Sequence, residues 1–152
     1  MAKFIFKLQK LLTIKEKIEK RAFLEFGAAM SVWEKKKKEK NRLQTSLEKC
    51  VEAFRENARA GAKPLEAIMY NGYIDALGAN ITEKEAEIAD AEKQVKLKRL
   101  VLAEAAKERR VLENLRDRRR EAYLATEQLA ERRAIDEHVS YRFGAFNEYS
   151  GD

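Results

Sequence analysis

Residues 61–72 read Gly-Ala-Lys-Pro-Leu-Glu-Ala-Ile-Met-Tyr-Asn-Gly, and they decide the fold. They hold the chain's one proline, Pro64, and two of its six glycines. Proline lacks an amide proton and clashes with the preceding helical turn, while Asn-Gly pairs readily adopt positive φ. The flanking sequences contain few helix breakers and are rich in Ala, Leu, Glu, Lys and Arg. We therefore expect the chain to reverse here and to place two long helices side by side.

The composition fits such a helical protein. Charged residues make up 38% of the 152-residue chain and aromatic residues 9%, which is typical of one long, exposed helical domain. The net charge of +6 allows nucleic acid, an acidic protein or a membrane surface as partner. The lone cysteine, Cys50, is expected to be a small core residue in a reducing cytosol. Without an apolar run long enough for a signal peptide or membrane span, the sequence predicts a soluble, cytoplasmic protein.

The first long segment carries a helical stripe at alternating steps of three and four residues. The expected buried positions are Phe4, Leu8, Leu11, Lys15, Ile18, Ala22, Glu25, Ala29 and Val32. A neighbouring apolar set widens this stripe and consists of Phe23, Phe26, Met30 and Trp33. Beyond the lysine-rich run 35–40 the stripe resumes, shifted by one residue, as Leu43, Leu47, Cys50 and Phe54. We interpret the lysine run as side chains whose stems cover the partner helix, with a dedicated anionic site as the alternative.

The second long segment has a stricter pattern, which predicts a left-handed coiled coil. Its seam positions are Ile74, Leu77, Ile81, Lys84, Ile88, Ala91, Val95, Lys98, Leu102, Ala105, Arg109, Leu112, Leu115, Arg119, Ala122, Thr126 and Leu129. Gly78 weakens its first turns, and Thr82 with Glu85 offers a capping box for an alternative, later start.

The predicted fold is an all-α, antiparallel two-helix coiled-coil hairpin of one domain with a longer C-terminal helix. We expect helix 1 at about 3–59, the turn at about 60–72, helix 2 at about 73–143 and a frayed tail at 144–152. If Phe54 faces Tyr73, paired residue numbers add to about 127 and Phe4 lies near Tyr123. The turn forms a closed tip, and the other end, where about 20 residues project beyond the N-terminus, is the open end.

Positive charge is concentrated at the open end, and catalytic motifs are lacking. Residues 1–21 have a charge balance of +5 and residues 107–142 one of +2. One histidine, His138, and one cysteine make no familiar zinc site, and no glycine-rich phosphate loop is present. A convex coiled-coil surface cannot bury a carboxylate pair for acid–base chemistry. We therefore expect no enzyme activity, no catalytic residue, no cofactor, no metal and no small-molecule substrate.

Three sequence motifs resemble one known family. They are the opening Phe-Ile-Phe-Lys-Leu-Gln-Lys-Leu-Leu at 4–12, Asn-Gly-Tyr-Ile-Asp-Ala-Leu at 71–77, and Glu-Arg-Arg-Ala-Ile-Asp-Glu at 131–137. In their order and spacing they resemble the FliJ family, the stalk protein of the bacterial flagellar type III export apparatus. The likeness covers about residues 3–143. It implies an antiparallel two-helix coiled coil, similar to the central stalk of rotary ATPases, with a role in flagellum biogenesis, protein export and motility.

The resemblance also implies partners and binding residues. Members bind the hexameric export ATPase, the cytoplasmic domain of the membrane export gate, and export chaperones, so association with the membrane is peripheral and through partners only. For the gate, the matching positions near the closed tip are Leu43, Leu47, Cys50, Phe54, Tyr73, Leu77, Asn80 and Lys84. Cys50, Asn80 and Lys84 depart from the family's residue types, which leaves Leu43, Leu47, Phe54, Tyr73 and Leu77 as candidates. The candidates for the ATPase ring at the open end are Phe4, Lys7, Lys10, Arg116, Arg119, Arg120, Arg132 and Arg133.

Two other functions stay open at this point. The basic runs 35–40 and 116–120 allow a nucleic-acid-binding arm, although aromatic residues do not interleave with them as stacking platforms require. A generic homodimeric coiled-coil adaptor is the other possibility, with the aromatic set around Trp33 as its contact.

Overall fold

The computed structural model of the chain describes residues 3–61 and 63–149 and is built from two long helices packed together. Helix α1 spans Gln9–Arg59 and helix α2 spans Pro64–Tyr149, with 51 and 86 residues. The chain forms two compact units. The central unit is Ile18–Ala105, and the terminal unit combines Met1–Lys17 with Ala106–Asp152. The all-α prediction is confirmed, whereas the single domain stays a prediction.

The reversal between the helices is much shorter than the predicted turn at 60–72. α1 ends at Arg59, and Gly61 follows with a positive φ of 87°, the conformation that glycine adopts after many helices. Pro64 then opens α2, because a proline at the first helical position loses only an amide proton that would have been unsatisfied anyway. The first helical bond joins the Ala67 amide to the Lys63 carbonyl at 3.2 Å. Ala62 lies outside the described residues.

The Asn71-Gly72 pair does not form a turn, and the expectation of helix 2 beginning near 73 is wrong. Both residues lie inside α2, and Gly61 has the only positive φ among the described glycines. A helical Gly costs about 1 kcal/mol relative to Ala, and the burial of Leu77 and the partial burial of Tyr70 and Ile74 on the same helix outweigh that cost. The alternative cap at Thr82 is also absent there, since its hydroxyl donates to the Gly78 carbonyl within α2.

The outer ends of both helices also differ from the prediction. α1 begins at Gln9 rather than near residue 3, and residues 3–6 are not helical. α2 runs through Gly144 to Tyr149 instead of ending near 143. The remaining tail residues, 150–152, lie outside the described part of the chain. A lone glycine weakens a helix but does not have to end it, and Gly144 is an example.

Within the central unit, the two helices are antiparallel. Six contacts between them join residues whose numbers add to 123–125 (Glu25–Lys98, Lys36–Glu87, Glu39–Lys84, Lys40–Glu85, Phe54–Tyr70, Asn57–Glu66). A constant sum is the signature of antiparallel pairing. The expected register of about 127 at the closed tip is therefore wrong by about one helical turn, and Phe54 contacts Tyr70 rather than Tyr73.

The seam of α2 in the central unit follows the predicted positions. Leu77, Ile81, Ala91, Val95 and Ala105 are buried, and the intervening predicted positions are half-buried. On α1, Leu43, Leu47, Cys50 and Phe54 are likewise buried or half-buried, which confirms Cys50 as a small core residue. Ile18, Phe23 and Val32 are exposed, so these three expectations are wrong.

In the terminal unit, residues 3–8 lie against α2 and their register changes along the chain. The numbers of Lys15 and Glu108 add to 123, those of Phe6 and Arg119 to 125, and those of Phe4 and Tyr123 to 127. A non-helical chain advances about 3.3 Å per residue when extended, against 1.5 Å in a helix. The predicted Phe4–Tyr123 proximity is confirmed, with ring centroids 5.6 Å apart. This proximity was predicted correctly because two errors cancelled each other. The register at the tip was wrong, and so was the residue at which α1 begins.

The same non-helical start explains an error in the predicted core. Leu12 is fully buried, with 0% of its surface exposed, while the predicted Leu11 is 40% exposed. Because the helical stripe was counted from Phe4, which lies outside α1, its phase was wrong by one residue. Of the α2 seam in this unit, Arg109, Leu112 and Leu115 are half-buried as predicted, whereas Arg119, Ala122, Thr126 and Leu129 are exposed.

The neighbouring leucines give a direct test of this phase. Leu12→Ala removes a fully buried side chain, so we expect the free energy of unfolding to fall by about 2–5 kcal/mol. The matched control Leu11→Ala should change it by less than about 1 kcal/mol. Urea unfolding followed by far-UV circular dichroism measures both values. A larger loss for Leu11→Ala than for Leu12→Ala would contradict the packing described above.

Ion pairs within and between the two helices shift pKa values in the central unit. Hydrogen bonding and charge from Lys98 lower the pKa of Glu25 below its ordinary 4.5. The hydrogen bond from Lys84 likewise lowers the pKa of Glu87, although partial desolvation opposes this shift. Hydrogen bonds to Glu87 and then to Glu39 raise the pKa of Lys84 above its ordinary 10.5.

The direction of these shifts predicts acid sensitivity. A carboxylate with a lowered pKa in the folded state stabilises the fold above its unfolded pKa and loses that contribution as the pH falls through the folded pKa. We expect Glu25→Gln/Glu87→Gln to lose less thermal stability than the parent between neutral pH and about pH 3. The control Glu83→Gln/Glu104→Gln changes two exposed carboxylates for which the described residues show no ion pair, and it should behave like the parent. Equal acid sensitivity of all three proteins would refute the assignment.

Candidate partner-binding surfaces

The gate candidates near the closed tip divide into buried and exposed residues. Leu77 is buried, and Leu43, Leu47 and Phe54 are half-buried along the seam of the central unit. Phe54 also packs on Tyr70, with ring centroids 5.7 Å apart and ring planes inclined by 53°. Their burial within the chain leaves these four little surface for a partner. Of the five candidates, Tyr73 is the exposed one.

The structure adds an exposed apolar stripe that sequence reasoning missed. Leu65, Ile68 and Met69 lie on the first two turns of α2 and are each about two-thirds exposed. With Tyr73 they repeat at helical spacing, so they share one face. They were missed because residues 60–72 were assigned to a turn. The signal that could have found them is proline at the first helical position, followed two residues later by an acidic residue, Glu66.

Glu66 also contributes to the shape of this region. Its carboxylate accepts a hydrogen bond of 3.1 Å from the Asn57 side-chain amide of α1. Asn57, Glu66, Met69, Tyr70 and Tyr73 together line a cleft of about 770 Å³. The tip stripe, defined as Leu65, Ile68, Met69 and Tyr73, thus borders a cleft that joins both helices of the central unit.

At the open end, the terminal unit brings several of the ATPase candidates together. Phe4, Arg116 and Arg120 line one cleft of about 690 Å³ with Lys3, Ile5, Phe6 and Gln9. Arg119 lies over the Phe6 ring, with its guanidinium carbon 5.9 Å from the ring centroid, within the range of a cation–π contact. Opposite Phe4, burial and then a hydrogen bond with Glu127 raise the pKa of Tyr123. The cleft lining contains three cations and no carboxylate.

The remaining open-end candidates lie outside this cleft. Lys7 and Lys10 are exposed near the start of α1. Arg132 and Arg133 are exposed on α2, at least nine residues past Tyr123, or about 14 Å at 1.5 Å per residue. Every described side chain from 128 to 148 is exposed. This helical segment carries large apolar residues on its surface (Leu129, Ile135, Val139, Tyr141, Phe143, Phe146).

The lysine-rich run in the central unit is largely engaged within the chain. Lys36 pairs with Glu87, Lys40 pairs with Glu85, and Lys37 pairs with Glu34. The ammonium group of Lys37 also lies 3.5 Å from the centroid of the Trp33 ring. These contacts agree with lysine stems lying across the partner helix, and they leave fewer free charges for nucleic acid.

Residues 3–61 and 63–149 contain no cluster of three His, Cys, Asp or Glu side chains arranged to hold a metal ion. Neither helix has, within the part of the chain that the structure describes, a stretch apolar and long enough to cross a bilayer.

Comparison with known proteins gives a family match. The sequence model of the family described as "Flagellar FliJ protein" matches residues 4–148. No curated protein and no solved structure matches the chain significantly. The family match covers nearly the whole chain, including all of α1 and all of α2 except its last residue.

Proposed function

Because the chain belongs to the family of flagellar FliJ proteins, we propose that it is a non-enzymatic stalk of the flagellar type III export apparatus. The family implies a role related to flagellar export. In this proposal the chain is an antiparallel coiled-coil hairpin that binds the hexameric export ATPase, the cytoplasmic domain of the export gate and export chaperones. It works in the cytoplasm and reaches the inner membrane by binding these proteins.

The observation that carries the proposal is the exposed end of α2. From residue 128 to residue 148 the helix buries no side chain, yet a helix in water gains most of its stability by packing an amphipathic face. Its apolar residues, among them Ile135 and Val139, are therefore available to a partner. A ring of ATPase subunits offers a concave surface that fits a projecting helix.

The charges at the open end also support this end as the ATPase-binding surface. Arg119, Arg120, Arg132 and Arg133 form no ion pair with any described residue, in contrast to the paired lysines of the central unit. Unpaired arginines that face an acidic ring opening would orient the stalk and speed its association. Arg132 and Arg133 are the better test residues, since Arg119 also contacts Phe6.

We expect the protein to raise the ATP hydrolysis rate of its cognate export ATPase. Deleting residues 124–152 should abolish that stimulation, and Arg132→Glu/Arg133→Glu should weaken it about tenfold or more, most strongly at low salt. The control Lys35→Glu/Lys38→Glu makes the same charge change on exposed lysines of the central unit and should stimulate normally. Steady-state ATPase assays with circular dichroism as a folding check measure these effects. Full stimulation by the truncated protein would contradict docking at the open end.

The tip stripe is the proposed gate-binding surface. The family resemblance pointed to Leu77 and its neighbours, but their burial favours Leu65, Ile68, Met69 and Tyr73 as the residues that touch the gate. Aromatic and large apolar side chains at the centre of an interface commonly carry most of its affinity.

We expect Ile68→Asp to weaken binding to the gate's cytoplasmic domain by about tenfold or more. Ile68 is 67% exposed, so the change should leave the fold intact. The matched control is Leu100→Asp, because Leu100 is 68% exposed on the same helix but lies outside the tip stripe. Titration calorimetry with the purified gate domain measures both affinities. If Leu100→Asp weakens binding as much as Ile68→Asp, the tip stripe is not the contact.

A further inference from the structure

We propose that the outer face of residues 3–17 binds directly to the surface of an anionic phospholipid bilayer. This inference goes beyond the stalk function, because it gives the chain a membrane contact of its own. It rests on the terminal unit alone and on three features of these residues, namely the alternation of their exposure, their unpaired charges and their residue types.

Exposure alternates along the non-helical start of the chain. Phe6 is 7% exposed and Phe4 is half-buried against Tyr123, whereas Ile5, between them, is 79% exposed. Ile5 is the most exposed of the large apolar side chains that the structure describes. Alternating burial is the pattern of an extended segment with one face packed and one face free. The free face presents Lys3, Ile5 and Lys7, an aliphatic side chain between two lysines.

The first turns of α1 continue this pattern. Leu11 and Ile14 are exposed and, being three residues apart, lie on the same side of the helix. Lys10 and Lys17 lie at helical spacing around them and are exposed as well, and Lys7 is exposed just before the helix begins. The outer face, defined as Lys3, Ile5, Lys7, Lys10, Leu11, Ile14 and Lys17, thus combines three aliphatic side chains with four lysines.

The charges of the outer face are not neutralised by the residues that the structure describes. Lys3, Lys7, Lys10 and Lys17 form no ion pair with any described residue, and Glu16 is the one carboxylate among residues 3–17. Lys15, in contrast, is paired with Glu108 at 2.7 Å. The adjoining cleft adds Arg116 and Arg120; of these, Arg116 also contacts Asp117 at 3.3 Å. The surface therefore carries a local positive field without internal compensation.

The residue types favour a lipid surface over a protein as the occupant. Lysine is depleted in protein–protein interfaces, which favour arginine and aromatic residues, and the outer face has four lysines and no exposed aromatic side chain. Lysines with aliphatic neighbours suit a bilayer, because the stems extend to the headgroups while the aliphatic residues enter the boundary of the acyl chains. Clustered lysines are attracted to anionic phospholipids in particular. An acidic protein is the competing occupant.

The test is vesicle co-sedimentation of the full chain, in the absence of any export protein. We expect binding to vesicles containing phosphatidylglycerol and at least about tenfold weaker binding to phosphatidylcholine alone, with strong weakening by salt. Lys3→Gln/Lys7→Gln should weaken binding to the anionic vesicles about tenfold. Ile5→Gln should weaken it severalfold while leaving its salt dependence unchanged, since it removes apolar insertion and no charge.

Matched controls separate this surface from general charge and exposure. Lys35→Gln/Lys38→Gln and Leu100→Gln change exposed residues of the central unit and should bind vesicles as the parent does. Equal binding to both kinds of vesicle, or anionic binding that Ile5→Gln leaves unchanged, would overturn the proposal. Failure of the parent to bind anionic vesicles, together with loss of ATPase stimulation in Lys3→Gln/Lys7→Gln, would assign the outer face to an acidic protein instead. Because the vesicle assay contains no ATPase, its failure leaves the stalk function untouched.

Discussion

Burial along one narrow seam is the constraint on which the whole structure depends. A pair of helices can exclude water only where they face each other, and many of the buried residues that the structure describes are small, such as Ala22, Cys50, Ala91 and Ala105. Small seam residues let two backbones approach closely, but each of them contributes little apolar area. The stability of any segment therefore depends on whether another segment covers it. Before Gln9 the chain is not helical, and in this conformation Phe6 is only 7% exposed.

The charged side chains at the edges of the seam fix the register. Each exposed ion pair contributes little to stability by itself, but slipping the helices past one another changes several pairs at once. In the observed register of the central unit, Lys84 faces Glu39. A slip of four residues would bring Lys84 opposite Leu43 in one direction and opposite Lys35 in the other. The ammonium group of Lys84 would then be unpaired in the first case and repelled in the second. Lys36 and Lys40 of the lysine-rich run thus take part in the helix pairing, whereas Lys35 and Lys38 are exposed.

Much of the fold could be predicted from the sequence, and the errors have identifiable physical causes. The α2 seam from Ile74 to Leu115 was correct because a strict three–four repeat over several heptads leaves a helix one way to face its partner. The turn was placed too broadly because Asn71-Gly72 has a strong local preference for positive φ, which the packing of flanking residues overrides. The α1 phase was wrong at Leu11 because periodicity cannot show where a helix begins. The gate candidates were chosen under the same limit, because an apolar residue such as Leu77 suits a helix seam and a protein interface equally well. Only its burial shows that it belongs to the seam.

The exposed end of α2 lacks the seam contacts that stabilise the rest of the helix. Between residues 128 and 148 no seam stabilises the helix, so its order has to come from local interactions. Residues 128–137 consist mainly of Gln, Leu, Ala, Glu and Arg, which are among the residue types with the highest intrinsic helix propensity. Such support is independent of any tertiary contact, and it leaves Ile135 and Val139 uncovered. A partner that binds this preformed helix gains their burial without the full cost of ordering the backbone. The sequence thus favours a helix in this segment through its residue types and leaves its apolar side chains free for another molecule.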